Sequence, residues 1–346
     1  MNKKINYKKI CNNLLSSLPL QTSDIIKKRF GLDDGKRKTL EAIGQGYGLT
    51  RERIRQIINE GFSKIQPKLK KCSEVSKYFN EAFKSFGDLK KEDILLFSLG
   101  REKFQNQVFF LLNLESGFNR LPEDKDFYSL FARKNEAVGL AKKIVDLTIN
   151  KLQTEKKTLS LEKLYEVEKA EIRKVFDRGI NKTIFNSYIE ISKKIQKNPE
   201  NQYGLKDWLE INPRGIKDKA YLALKRAGKP LHFAMVANFI EKLPLASQKG
   251  AHLATVHNEL IKDPRFVLVG RGIYALREWG YEPGVVKDII FKVLRETNKP
   301  LTKGEIIKKV LEQRFVKANT ILLNLQDKNN FLKDERGRYQ LNIKEA

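Results

Sequence analysis

From Leu18 to Lys71 the apolar residues recur at steps of three and four, the spacing of a helix face. Leu20, Ile25, Ile26 and Phe30 keep that spacing, and Gly31-Leu32-Asp33-Asp34-Gly35 then breaks the helix. Thr39 suits the N-cap of a short helix through Leu40, Ala42 and Ile43. Gly44-Gln45-Gly46-Tyr47-Gly48 reads as a turn. Thr50 then caps a further helix and sets Glu52 in its first turn, where the helix dipole favours a carboxylate. That helix is two-faced. Ile54, Ile57, Ile58, Gly61 and Ile65 share one side; Arg51, Glu52, Arg55, Gln56 and Asn59 share the other.

A short helix, a tight turn and a second helix with a polar outer face have the geometry that enters a DNA major groove. The side chains suit the task. Arg holds guanine O6 and N7 together, Gln holds adenine N6 and N7, and Glu accepts from cytosine N4. Arg53 and the first-turn amides suit phosphates, which position the protein without specifying sequence. The run Leu49-Thr50-Arg51-Glu52-Arg53-Ile54-Arg55-Gln56-Ile57 closely resembles region 4 of the sigma-70 family of bacterial transcription initiation factors. Lys28-Arg29-Phe30-Gly31-Leu32 and Thr39-Leu40-Glu41-Ala42-Ile43-Gly44 match it in the same order and spacing. The resemblance implies that Arg51, Glu52 and Gln56 read bases of a −35 element, while Thr50, Arg53, Arg55 and Asn59 hold the backbone. Ser63 and Gln66 stand where the family usually carries Arg, and Gly46 and Gly61 are expected to loosen the helices. A weaker phosphate grip is the expected result. Nothing resembles the aromatic-rich sigma region that melts the −10 element, so a complete sigma factor is not expected.

Farther along, the chain repeats itself. Tyr203-Gly204-Leu205-Lys206-Asp207-Trp208 echoes Tyr274-Ala275-Leu276-Arg277-Glu278-Trp279, with weaker echoes at Phe127-Tyr128-Ser129-Leu130 and Arg338-Tyr339-Gln340-Leu341. Helical patterns precede each echo, and a strand-like run accompanies it, the order of a winged helix. The clearest unit has helices at Ala220–Leu224, from Phe233 to near Leu243 and at His252–Lys262, then a hairpin through Phe266–Val269 and Ile273–Leu276. Its phrases Lys229-Pro230-Leu231-His232-Phe233 and Gly272-Ile273-Tyr274-Ala275-Leu276-Arg277 resemble the HARE-HTH winged-helix family, which includes the N-terminal domain of the RNA polymerase delta subunit. A last unit places helices at Val285–Glu296, Lys303–Glu312 and Ala318–Gln326 and a hairpin over Phe331–Leu341.

The fold expected is therefore mainly α: a sigma-region-4-like helix-turn-helix followed by tandem winged-helix units with small β-hairpin wings. Its boundaries are 1–71, 72–137, 138–210, 211–281 and 282–346, the two middle segments resting on faint echoes. Winged helices read DNA or dock proteins with one surface. Thr255, Asn258, Lys262 and Arg271 are candidate contacts in one unit, and Lys317, Asn319, Thr320, Asn324 and Lys328 in the last.

Composition agrees with a polyanion partner. Lys and Arg number 68 against 42 Asp and Glu over 346 residues, a net charge of +26. Solubility, or an A·T-rich genome that favours Lys codons, would give the same number, so the motifs decide. No apolar run is long enough to span a membrane, and no secretory signal opens the chain. Cys11 and Cys72 cannot staple a scaffold this size and fit a reducing compartment, though the two could pair.

Catalytic chemistry is not expected. His232, His252 and His257 lack metal-ligand spacing, and Gly44-x-Gly46-x-Gly48 follows a helix and lacks the Lys-Ser/Thr ending of a phosphate loop. Pro122-Glu123-Asp124-Lys125 reads as a loop before the first wing strand. Trp208 and Trp279 read as packing residues. No cofactor, metal, membrane or small-molecule substrate is expected, and the partners expected are double-stranded DNA and RNA polymerase core. The expectation is a cytoplasmic, nucleoid-associated bacterial transcription regulator that reads duplex DNA. Two alternatives stay open: an RNA polymerase accessory protein like the delta subunit, and the DNA-targeting part of a restriction or repair enzyme.

Overall fold

The computed structural model describes residues 5–70, 73–176, 179–242 and 252–342. It is mainly helical, and it divides after Asp207 into two compact units. The first opens with four helices: α1 (Tyr7–Leu15), α2 (Leu20–Phe30), α3 (Leu40–Tyr47) and α4 (Arg51–Lys70). α1 lies upstream of the helices the pattern predicts. It buries Tyr7, Cys11, Leu14 and Leu15, and the Tyr7 hydroxyl donates to Leu99 O at 3.1 Å. Burial pushes the Cys11 thiol up to about 12, which leaves it unreactive at neutral pH. Cys72 lies outside the described residues, as does the expected helix end at Leu243.

After α4 one topology recurs. α5 (Ser73–Ser85), β1 (Leu89–Lys91), α6 (Glu92–Gly100), α7 (Gln105–Leu114), β2 (Asn119–Leu121) and β3 (Leu130–Ala132) make the first copy. The second is α8 (Asn135–Glu155), β4 (Leu159–Ser160), α9 (Leu161–Val175), α10 (Lys182–Ile189), β5 (Ile195–Lys197) and β6 (Gln202–Leu205). In the other unit the third is α11 (Gly215–Ala227), β7 (Leu231–His232), α12 (Phe233–Glu241), α13 (Leu253–Lys262), β8 (Phe266–Gly270) and β9 (Ile273–Leu276). The fourth is α14 (Val286–Thr297), α15 (Lys303–Gln313), α16 (Ala318–Leu325), β10 (Phe331–Lys333) and β11 (Tyr339–Leu341). In the first three, the opening strand pairs antiparallel with the last strand of the hairpin. In the fourth a single bridge, Leu301 to Tyr339, does the same.

The register exposes the signal behind the repeat. Leu89, Leu159, Leu231 and Leu301, all buried, fall 70 to 72 residues apart, and in the first three copies the opening strand runs straight into the next helix. Their partners are Ala132, Tyr203, Tyr274 and Tyr339. The echo at Tyr128 is therefore misaligned by four residues. Tyr128 lies in the hairpin loop, and its N–H donates to Ile191 O at 2.9 Å. Pro122–Lys125 lies inside that hairpin instead of before it, and Asp124 spends a carboxylate oxygen on the N–H groups of Asp126 and Phe127.

One core crosses an expected boundary. One apolar cluster runs from Tyr7 to Phe131, so residues on both sides of position 71 share it. At its centre the Phe30, Phe62 and Phe110 rings lie 5.4–5.8 Å apart by centroid. In the second unit, the last two copies are stitched by backbone: Phe315 N–H donates to Val269 O at 2.7 Å. Beside it Arg314, 3% exposed, donates to the carbonyls of Glu282 and Gly284 at 2.7 and 3.0 Å. Trp279 packs against the apolar residues of both clusters in the third copy.

One buried charge has a measurable consequence. Glu168 of α9 is 1% exposed; its Oε2 accepts from Thr148 Oγ1 at 2.8 Å, and its Oε1 has no partner among the described residues. Burial pushes its carboxyl from the ordinary 4.5 up to about 7. The folded state thus holds a proton that the unfolded chain releases, so stability falls as pH rises from the unfolded value through the folded one. Glu168→Gln is expected to match the wild type near pH 5 and to exceed it by ~2–3 kcal/mol at pH 8. Unfolding curves at both pH values check this; an identical difference at each would mean the carboxyl titrates as if exposed.

Candidate nucleic-acid interface

Thr39 Oγ1 accepts from Ala42 N at 3.1 Å and starts α3. α3 runs through Gly44 and Gly46 to Tyr47, so the turn expected over Gly44–Gly48 is shorter than the glycines imply. The chain reverses at Gly48, φ +64°, and Leu49 N–H donates back to Gly44 O at 2.9 Å. Gly44 is small for a reason: a Cβ there would stand 2.5 Å from Leu49 O. Thr50 Oγ1 then accepts from Arg53 N at 3.2 Å and caps α4.

The packing of α4 follows its sequence pattern. Ile54, Ile58, Gly61 and Ile65 are buried, Ile57 is half-buried, and Arg51, Glu52, Arg53, Arg55, Gln56 and Asn59 are exposed. Gly61 has a packing role. A Cβ at Gly61 would meet Ile26 Cδ1 and Thr22 Cγ2 at 2.9 Å, so the glycine lets α2 and α4 approach closely. Gln66 also does more than lack a positive charge: its Nε2 donates to Leu114 O at 3.0 Å and docks α4 on the end of α7. Ser63 Oγ returns to Asn59 O at 3.0 Å.

The polar face is held in place by its own ion pairs. Arg55 grips Glu52 with two hydrogen bonds, at 2.9 and 2.6 Å, and holds its carboxyl below the usual range. Arg53 donates to Gln56 Oε1 at 3.3 Å and lies 3.6 Å from Glu60. These pairs are exposed and screened by solvent, so exchanging them for a ligand costs little. Arg51 takes no part in these bonds. α2 is fixed to α3 by three residues that the sequence reading missed, although an i,i+4 Asp–Lys spacing was there to be seen: Asp24 and Lys28 pair at 2.8 Å across one helical turn, and Tyr47 donates to Asp24. The hydrogen bonds from Lys28 and Tyr47 hold the Asp24 carboxyl below its ordinary range.

The remaining candidates lie in the second unit. Thr255, Asn258 and Lys262 are exposed on α13, and Arg271 is exposed at the tip of the β8–β9 hairpin. Lys317, Asn319 and Thr320 are exposed at the start of α16, and Lys328 follows it. Asn324 is half-buried, and its amide donates to Thr320 O at 2.7 Å. The third helices of the first two copies differ: α7 buries Val108 to Leu112 against α1 and α2, and α10 buries Phe185 and Ser187 to Ile189. His232 has a structural task, its Nδ1 accepting from Ala234 N at 3.3 Å to cap α12, and His257 stacks on Phe233 at 4.4 Å. Among the described residues no helix is long and apolar enough to cross a membrane.

A short helix, a glycine turn and a second helix that buries one face and presents arginines and an amide on the other define a helix-turn-helix. Residues 14–66 match the family model of sigma-70, region 4. The chain is similar to the RNA polymerase sigma factor SigA of Microcystis aeruginosa, 48% identical over 54 residues. It is likewise similar to the RNA polymerase principal sigma factor HrdD of Streptomyces coelicolor, 52% identical over 46 residues. These matches cover 16% and 13% of this chain, and 13% and 14% of the relatives. The chain thus spans about one seventh of the length of the sigma factors it matches.

Proposed function

We propose that this chain is a non-enzymatic, sequence-specific binder of duplex DNA that acts in bacterial transcription, with α4 in the major groove. One observation carries the reading. The segment that matches sigma-70 region 4 presents Arg51, Glu52 and Gln56 together on the exposed first two turns of α4. These three side chains read bases, while Thr50, Arg53, Arg55 and Asn59 hold phosphates. Each of the four repeats after α4 is a winged helix, the third of them of the HARE-HTH kind. The strand order common to the first three, and the Leu301–Tyr339 bridge of the fourth, support this. The third helices of the last two copies keep an open face, so the candidate contacts on α13 and α16 extend the footprint, while the more buried third helices of the first two copies act as scaffold. The protein works in the cytoplasm, on the nucleoid.

The test is binding to a −35-like duplex and a scrambled duplex across a salt series, for wild type and the Arg51→Ala/Gln56→Ala variant. A preference that survives moderate salt and vanishes in the variant is expected, each side chain accounting for about 1–3 kcal/mol of discrimination. Equal, steeply salt-dependent binding to both duplexes would sink base reading.

A second reading has its own observation. Ile261 on α13 and Leu323 on α16 are 61% and 65% exposed, and apolar side chains on an open helix face suit a protein partner better than phosphates. Under this reading those helices dock RNA polymerase core. Co-purification of polymerase that persists after nuclease treatment, and is lost in Ile261→Asp/Leu323→Asp, is its signature.

A further inference from the structure

Three arginines, two of them eight residues apart and the third more than eighty residues on, meet beside the helix-turn-helix. Arg37, in the loop before α3, stacks its guanidinium 3.8 Å from the centroid of the Phe109 ring. Arg120, on β2, lies 5.5 Å from the same ring. One carboxylate serves both. Glu92 Oε2 accepts from Arg120 Nε at 2.6 Å, and its Oε1 lies 3.7 Å from Arg37 Nη1. Arg29, at the end of α2, donates to Lys38 O at 2.8 Å and has no carboxylate partner among the described residues. Burial lowers the guanidinium range of Arg29 and Arg37, and the charge of Arg120 lowers both further. Arg37 Nε also donates to Asn106 Oδ1 at 2.8 Å. Three positive charges thus share one negative one, with Arg29 half-buried and Arg37 and Arg120 exposed, where an arriving anion can reach them.

The position of the cluster identifies that anion. Arg29 holds the carbonyl of Lys38, the residue before the Thr39 cap, so the cluster borders the N-terminus of α3. In a helix-turn-helix this first helix crosses the DNA backbone, and its free N–H groups already favour phosphate. Arginine forks fit phosphate oxygens two at a time. We propose that Arg29, Arg37 and Arg120 form a phosphate clamp that takes a backbone phosphate beside the site read by α4. The hairpin of the first repeat, through Arg120, thereby joins the DNA interface although its third helix is buried. The clamp rests on the DNA-binding reading above.

The experiment measures duplex affinity against salt for wild type, Arg37→Gln/Arg120→Gln and Arg120→Lys, with unfolding curves as a check on the fold. The double variant is expected to lose about one to two from the slope of log K against log salt, equally on −35-like and scrambled duplexes. Its sequence preference should remain. Arg120→Lys should keep most of the slope. Should the double variant not fold, Arg29→Gln is read alone and is expected to lose about one. A full slope in every folded variant, with wild-type binding intact, overturns the clamp and leaves base reading standing. Failure of the wild type to bind either duplex overturns both. A tripolyphosphate series completes the test. Thermal protection by tripolyphosphate that the double variant abolishes, together with an unchanged duplex slope, would assign the cluster to a soluble anion and overturn the proposal.

Discussion

Phe110→Ala is expected to destabilise the first unit by about 3–5 kcal/mol and to loosen the helix-turn-helix as much as the repeat that carries the residue. Phe110 is fully buried on α7, with the rings of Phe30 on α2 and Phe62 on α4 at 5.4 and 5.8 Å. Removing its ring opens a cavity lined by both modules, and a close-packed interior closes such a cavity only in part. Because one core spans Tyr7 to Phe131, the loss is shared. Hydrogen exchange followed in peptides from α4 and α5 checks this. Both should gain exchange together, and duplex affinity should fall with them. Faster exchange confined to residues after 73, with α2 to α4 untouched, would mean that the helix-turn-helix is an independent domain and the shared core contributes little.

How much of this was legible in the sequence depends on the range of the interaction. The helices at 20–30, 40–47 and 51–70 announce themselves because burial of one face imposes a period that neighbouring residues display. The same holds for α13 to α16, whose expected limits agree with the structure within about one residue. Glycines misled twice. Gly44 and Gly46 look like loop residues, but α3 is held by its caps and its packing on α4, and tertiary packing outweighs a weak propensity. Gly61 looks like a flaw until Ile26 and Thr22 are seen against it. Gln66 could not be interpreted without Leu114, 48 residues away. The repeat was visible through its tyrosines, yet the leucines at 89, 159, 231 and 301 are the better signal, since the first three each begin a strand that must pair and the fourth makes the equivalent bridge. The arginine cluster was out of reach. Its members are ordinary basic residues in a basic chain, and only the fold brings Arg120 to Arg29 and Arg37.

The glycines of α3 allow a paired test of how the turn is built. Gly44→Val is expected to cost close to the upper end of about 1–3 kcal/mol and to weaken duplex binding at least tenfold. The reason is geometric. The new Cβ would lie 2.5 Å from Leu49 O, a backbone atom that no side-chain rotation can move. The turn must open, which shifts Thr50 and with it the start of α4, where Arg51 and Glu52 stand. Gly46→Ala carries the opposite expectation. It lies two residues farther along the same helix, has nothing within 4 Å of its would-be Cβ and adopts no left-handed backbone. Alanine there should stabilise the protein by about 0.5–1 kcal/mol, since glycine loses more conformational freedom in a helix. Unfolding curves and duplex titrations of both variants decide the matter. Equal effects from the two would mean that α3 tolerates glycine as a flexible segment. Opposite effects would mean that the contact between Gly44 and Leu49 sets the angle at which α4 leaves the turn.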